Sequence, residues 1–182
     1  MSKPDTASQY KEVTASCREL FEKKTRDYGT AWRILRLSSI TDQIFIKANR
    51  IRSIQEKGTQ KIEEDIHSEF IAIINYCLIA MMQIELTDAD PMELNPDDVM
   101  EKYDGFVEET MNLMLNKNHD YGEAWRLMRV SSITDIILMK ILRVKQIEEN
   151  KGKTLVSEGV KANYQDMLNY AVFCLILLGE QV

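Results

Sequence analysis

The chain has 182 residues, 45% of them hydrophobic, with 7 glycines, 3 prolines and a net charge of −6. That length can bury a core of its own, and the scarcity of glycine and proline argues against disorder or a loop-rich β fold. The acidic balance excludes a basic footprint along duplex nucleic acid, while a local basic pocket for a phosphorylated small molecule stays open.

The first dozen residues carry no apolar run, so no secretory signal is expected and the cytoplasm is the expected location. Cys17, Cys77 and Cys174 stand among apolar residues with no CxxC spacing, and with His67 and His119 as the two histidines they make no standard zinc pattern. They are expected to be buried free thiols. From about Thr6 to Thr25, Tyr10, Val13, Cys17, Leu20 and Phe21 recur at helical spacing. Gly29 then marks a turn. A short helical piece follows, with Trp32 and Leu35 on one side and Arg33 and Arg36 three residues apart on one row. Ser38 and Ser39 are expected to cap the next helix, which runs to about Gly58 with Ile40, Ile44, Ile51 and Ile54 on one stripe. At about 100° per residue Lys47 falls inside that stripe. An unpaired charge there would cost several kcal/mol, so Lys47 needs a carboxylate, a bound anion or a partly wet groove. A long helix is expected over 61–86, its core positions being Ile62, Ile66, Phe70, Ile73, Cys77, Met81 and Ile84.

The chain then repeats itself. Residues 27–57, opening DYGTAWR and continuing through SSITD, return at 120–150 as DYGEAWR and SSITD, without a gap. Self-similarity of that length identifies the repeating unit before any fold is assigned. Asn95-Pro96-Asp97-Asp98 signals the start of the second first-helix, on which Tyr103, Phe106 and Met114 match Tyr10, Val13 and Phe21. Ile133, Ile137, Val144 and Ile147 renew the stripe, with Lys140 in the place of Lys47. The last helix is expected over 155–181, shifted by one residue near Gly152, so that Asn75-Tyr76 recurs as Asn169-Tyr170. The nearly apolar stretches of the two long helices fall short of the roughly 20 residues that span a bilayer, so no membrane partner is expected.

These observations predict an all-α helical bundle: a first repeat over 1–86, an acidic linker over 87–97 and a second repeat over 98–182. The two should pack as one globular unit about a pseudo-two-fold axis, an internal pseudo-dimer that leaves further homo-oligomerisation open.

The polar residues shared by both copies are the candidate ligand contacts. Asp27, Tyr28, Trp32, Arg33, Arg36, Lys47 and Arg50 correspond to Asp120, Tyr121, Trp125, Arg126, Arg129, Lys140 and Arg143, with Asp42 and Asp135 beside them. Arginine and lysine suit phosphate oxygens and an aromatic ring can stack on a base, so the set could form a nucleotide pocket. The same residues equally suit internal ion pairs, and a tryptophan at helical spacing equally suits a core. On the long helices, Glu69, Ala72 and Tyr76 form one row, matched by Asn163, Asp166 and Tyr170. Acids three residues apart on a helix can share a divalent cation, so Glu69 and Asp166 are candidate metal ligands and catalytic residues, with Glu64 and Glu158 further up. The other reading is that each neutralises the lysine of the neighbouring helix. No Gly-rich phosphate loop, GxSxG elbow, HExxH or EF-hand is present, so no covalent nucleophile is nominated.

The segments DYGxAWR, SSITD and the lysine and arginine that follow, each preceded by K..DYG at Lys24 and Lys117, resemble the nucleotide-modification-associated domain family, long catalogued as a domain of unknown function. The resemblance implies a helical fold and a link to nucleotide or modified-base metabolism. More distantly, Asp166 to Tyr170 is similar to the second motif of the MazG-like all-α nucleoside triphosphate pyrophosphohydrolases, which implies a hydrolase holding a triphosphate through Mg2+. Asn163 and Ala72 depart from that motif, and no ExxE precedes it. Either the two halves complement each other or the hydrolase site has decayed.

Overall fold

The computed structural model describes residues 5–58, 65–155 and 159–180. Among these are six α-helices and no strand: α1 (Thr6–Tyr28), α2 (Leu37–Lys57), α3 (Ile66–Glu85), α4 (Pro96–Tyr121), α5 (Val130–Glu149) and α6 (Val160–Glu180). Short 3-10 turns at Ala31–Ile34 and Ala124–Leu127 join α1 to α2 and α4 to α5.

Side-chain caps fix three of the helix starts. The Asp5 carboxylate accepts from the Ala7 N–H, that of Asp65 from Ser68, and the Asn95 amide oxygen from Asp97 and Asp98, with Pro96 opening α4. Ser38 and Ser39 are not caps: α2 starts at Leu37, with Arg36 as the extended cap residue and both serines inside the first turn. The 3-10 turn ends at Ile34, leaving Leu35 and Arg36 as the extended link, so the chain turns helical before either serine can stand outside. The long helices are also shorter than their apolar runs predict. Asp65 caps α3, and residues 61–64 lie outside the described residues. Leu155 is fully exposed and non-helical beyond Gly152, so it adds nothing to the core stripe of α6.

The helices stack as three pairs, each pairing a helix with its own repeat counterpart. α3 packs on α6 in the middle, α2 and α5 pack together on one side of them, and α1 and α4 on the other. Self-matching contacts of this kind are what a two-fold axis generates in a homodimer. The middle pair touches neighbours on both sides, which accounts for its nearly all-round apolarity: Phe70, Ile73, Ile74, Leu78, Met81 and Met82 are fully buried, as are Met167, Leu168 and Val172. Against the expectation that its apolar stretch is too short, α3, at 20 residues, is long and apolar enough to cross a bilayer by length and composition, yet 61% of its apolar window is buried inside the protein. Helix packing satisfies that apolarity. All three cysteines are buried free thiols, and burial pushes the Cys17 thiol up to about 12.

Buried polar bonds lock one repeat into the other. The Tyr10 hydroxyl of α1 donates to Asn169 Oδ1 of α6 at 2.7 Å, and Tyr103 of α4 donates to Asn75 Oδ1 of α3 at 2.8 Å. Each asparagine also donates to a backbone carbonyl of its own repeat's first helix, Asn75 to Cys17 at 3.2 Å and Asn169 to Thr110 at 3.3 Å. The recurrence of Asn-Tyr in both copies thus has a cause in packing. A second cross-repeat set joins α2 to α5, where Thr41 donates to Glu148 at 2.9 Å and Gln55 donates to Thr134 at 3.2 Å.

Candidate functional site

The two copies of the motif begin alike. α1 ends at Gly29 and α4 at Gly122, whose φ of 64° and 63° with ψ of −145° and −157° lie where glycine alone is comfortable. The turn that follows lays Trp32 and Trp125 toward the long helices, while Tyr28 and Tyr121 stay 73% and 80% exposed. From there the copies diverge.

In the first repeat the turn, α1, α2 and α3 enclose a cleft of about 470 Å³. That lies within the roughly 300–1,000 Å³ of small-molecule sites. Its walls include Lys24 and Tyr28 from α1, Trp32 from the turn, Lys47 from α2, and Glu69, Ala72 and Tyr76 from α3. Glu69 is fully enclosed at 2% exposure. Arg50 donates to its Oε1 at 2.7 Å, and Lys47 Nζ stands 3.7 Å from its Oε2. The Oε2 atom itself has no hydrogen-bond partner, and neither has the indole N–H of Trp32. The requirement that Lys47 set within its apolar stripe is met in two ways, by a carboxylate and by the half-open cleft.

In the second repeat the corresponding positions are filled differently. Trp125 is buried and stacks on Phe173, ring centroids 4.2 Å apart, where the first repeat has Ile79. The Arg126 guanidinium lies over the Trp125 ring, 4.4 Å from its centroid. Asp166 occupies the place of Ala72, and Lys117 and Lys140 each hold one of its oxygens at 2.8 Å. Burial opposes its ionisation, but the two lysine bonds outweigh burial and keep its carboxyl below the usual aspartate value.

The structure therefore distributes the sequence candidates over several places. Tyr28, Trp32, Lys47 and Glu69 share one cleft, with Arg50 bonded to Glu69. Asp166 and Lys140 form a second cluster. Arg33 is engaged by the interrepeat linker: it donates to Gln83 and to the carbonyls of Thr87 at 3.0 Å, Asp90 at 3.3 Å and Pro91 at 3.3 Å. Arg126 plays the same part at the other end of the pseudo-dimer, bonding Glu123 at 2.9 Å, Glu180 at 2.8 Å, Thr6 at 2.7 Å and Gln9 at 2.6 Å. Asp27, Arg36, Arg129 and Arg143 are exposed, as is Asp120, which meets His119 at 3.3 Å. Glu64 and Glu158 lie outside the described residues. The sequence reading did not nominate Lys24 and Lys117 as site residues. Their signal was the recurring lysine one helical turn before each Asp-Tyr-Gly, on the side of the helix that Tyr28 and Tyr121 share.

Residues 24–84 and 117–178 each match the family described as nucleotide modification associated domain 1. The chain belongs to this family and carries its domain twice. Both matched segments open on the lysine just described, and they take in the cleft of the first copy and the ion cluster of the second. No curated protein and no solved structure matches the chain.

Proposed function

We propose that this nucleotide modification associated domain protein binds a nucleoside phosphate in the cleft of its first repeat. The observation that carries the reading is the cleft itself: two lysines, the rings of Tyr28, Trp32 and Tyr76, and a buried carboxylate with one oxygen that accepts no hydrogen bond line about 470 Å³. Lysine ammonium groups suit phosphate oxygens, and Trp32 or Tyr28 offers a π-face to a base. Glu69 Oε2 and the Trp32 N–H, neither of which makes a hydrogen bond, supply an acceptor and a donor for a polar edge, since buried groups of this kind are costly until hydrogen-bonded.

Magnesium-dependent hydrolysis has less support from the same geometry. A divalent cation needs oxygen ligands and surplus negative charge. Glu69 instead faces Lys47 and Arg50, and Asp166 faces Lys117 and Lys140, so each carboxylate is already outnumbered by cations. Among the described residues no three histidine, cysteine or acidic side chains stand together. These donors do not fit Mg2+. For the second repeat the ion cluster favours a structural role, as a module whose lysine and acid pairs hold helices together.

The test is a thermal-shift and calorimetric screen against nucleoside mono-, di- and triphosphates, modified bases included, with and without Mg2+. A ligand at about 100 times its dissociation constant should stabilise the fold by about 2.7 kcal/mol. Stabilisation that Lys47→Gln and Trp32→Ala both remove is the expected result. No shift with any nucleotide would overturn the reading.

A further inference from the structure

The two repeats differ at one position in a way that defines a ligand. In the second, Lys117 and Lys140 bracket a single carboxylate, with Lys117 Nζ 2.8 Å from Asp166 Oδ1 and Lys140 Nζ 2.8 Å from Oδ2. In the first, their counterparts Lys24 and Lys47 face the same cleft, but the residue between them is Ala72. The cations are kept, no acid stands at the Ala72 position, and the acid of this repeat is Glu69, one turn earlier on α3, where the second repeat has Asn163. Lys24 pairs with no described acid, and Lys47 has only the 3.7 Å approach to Glu69, whose other oxygen Arg50 holds at 2.7 Å. Glu69 is the one acid among the described residues that line the cleft.

We propose that Lys24, Lys47 and the space above the Ala72 methyl group form a subsite for one phosphate group, seated where Asp166 places its carboxylate in the second repeat. Asp166 is then a built-in occupant of the equivalent subsite. The protein takes one external phosphate per chain, in the first repeat alone. The subsite deepens the nucleoside phosphate reading by placing its phosphate, yet it stands on the lysine pair and predicts binding of inorganic phosphate by itself.

Isothermal titration of the full chain with inorganic phosphate tests this. The wild type should bind one equivalent. Ala72→Asp should supply the missing carboxylate internally, weaken phosphate binding by about tenfold or more and raise the melting temperature, as expected when a charge-assisted pair replaces an empty one. Lys24→Gln, at an exposed position, should weaken binding similarly while circular dichroism stays unchanged. Asp166→Ala should open the second subsite and bind two equivalents. A wild type that binds no phosphate, an Ala72→Asp or Lys24→Gln chain that binds as tightly as wild type, or an Asp166→Ala chain that binds one equivalent would each overturn the proposal. The two readings separate cleanly. Phosphate binding without added affinity for any nucleoside phosphate sinks the nucleoside reading and keeps the subsite, whereas nucleotide binding indifferent to Ala72→Asp does the reverse.

Discussion

Gly29 and Gly122 share a backbone conformation but not a neighbourhood, and the difference separates two costs of replacing glycine. Both lie at positive φ, where an added Cβ costs about 1–3 kcal/mol. At Gly29 the Cβ would also overlap the Glu93 carboxylate, which accepts from the Thr30 N–H at 3.3 Å, whereas at Gly122 it meets open space. Gly29→Ala is therefore expected to destabilise by about 0.5–1.5 kcal/mol more than Gly122→Ala, the worth of the displaced bond, in parallel urea titrations. Equal losses would show that Glu93 moves aside freely. Asp166 gives a second contrast, in pH. Its carboxyl is held below the ordinary aspartate value of 3.8, so its contribution is complete above 3.8 and is lost as pH falls through the lowered value. Asp166→Asn is expected to lower stability by about 1–3 kcal/mol at pH 7, Lys117 being half exposed and partly screened, and to cost less at a pH well below 3.8. A penalty that stays the same at both pH values would rule out the charge as its source.

Between elements, the cross-repeat asparagines hold α1 to α6 and α4 to α3. Asn169→Ala leaves the Tyr10 hydroxyl and the Thr110 carbonyl buried without these partners, so it should cost about 2–4 kcal/mol. Tyr10→Phe deletes the hydroxyl and leaves one Asn169 acceptor unpaired, for about 1–2 kcal/mol, and the double variant should cost less than the sum. Strict additivity in that cycle would show that the two side chains do not act through their bond. None of this pairing was readable from the chain, because Tyr10 and Asn169 are brought together only by the packing of α1 on α6. What was readable was periodic: the stripes at Ile40, Ile44 and Ile51 and at Ile133, Ile137 and Val144 are buried as their spacing requires. Helix ends were less so. Ser38 and Ser39 carry the right chemistry for caps, but the short link after the 3-10 turn decides where α2 begins. The candidate site was half legible. Lys47 announced itself as a charge on an apolar face, while the exchange of Ala72 for Asp166 was visible as a lost metal ligand and acquires its other meaning only when both lysines are seen around the carboxylate.

At the scale of the whole molecule, the question is whether two copies of a domain make one cooperative unit. Each layer of the structure is a pair drawn from both repeats, so neither repeat can bury its long helix without the other. The sequence carries two tryptophans, Trp32 in the first repeat and Trp125 in the second. Each reports on its own half. Replacing Trp125 by phenylalanine leaves fluorescence from the first repeat, and replacing Trp32 leaves that from the second. For each variant, the guanidinium midpoint followed by fluorescence should match the one followed by far-UV circular dichroism, as a two-state transition requires. The Trp125 variant should be the less stable, because it disturbs a buried ring stacked on Phe173, whereas Trp32 borders an open cleft. If the fluorescence midpoints of either variant part from its dichroism, the repeats unfold separately, and the cross-repeat bonds of Tyr10 and Tyr103 do not couple them. Saturating phosphate should raise both probes' midpoints together when the molecule is one unit, although its subsite lies in the first repeat alone, because a ligand that binds the folded chain stabilises everything that unfolds with its site.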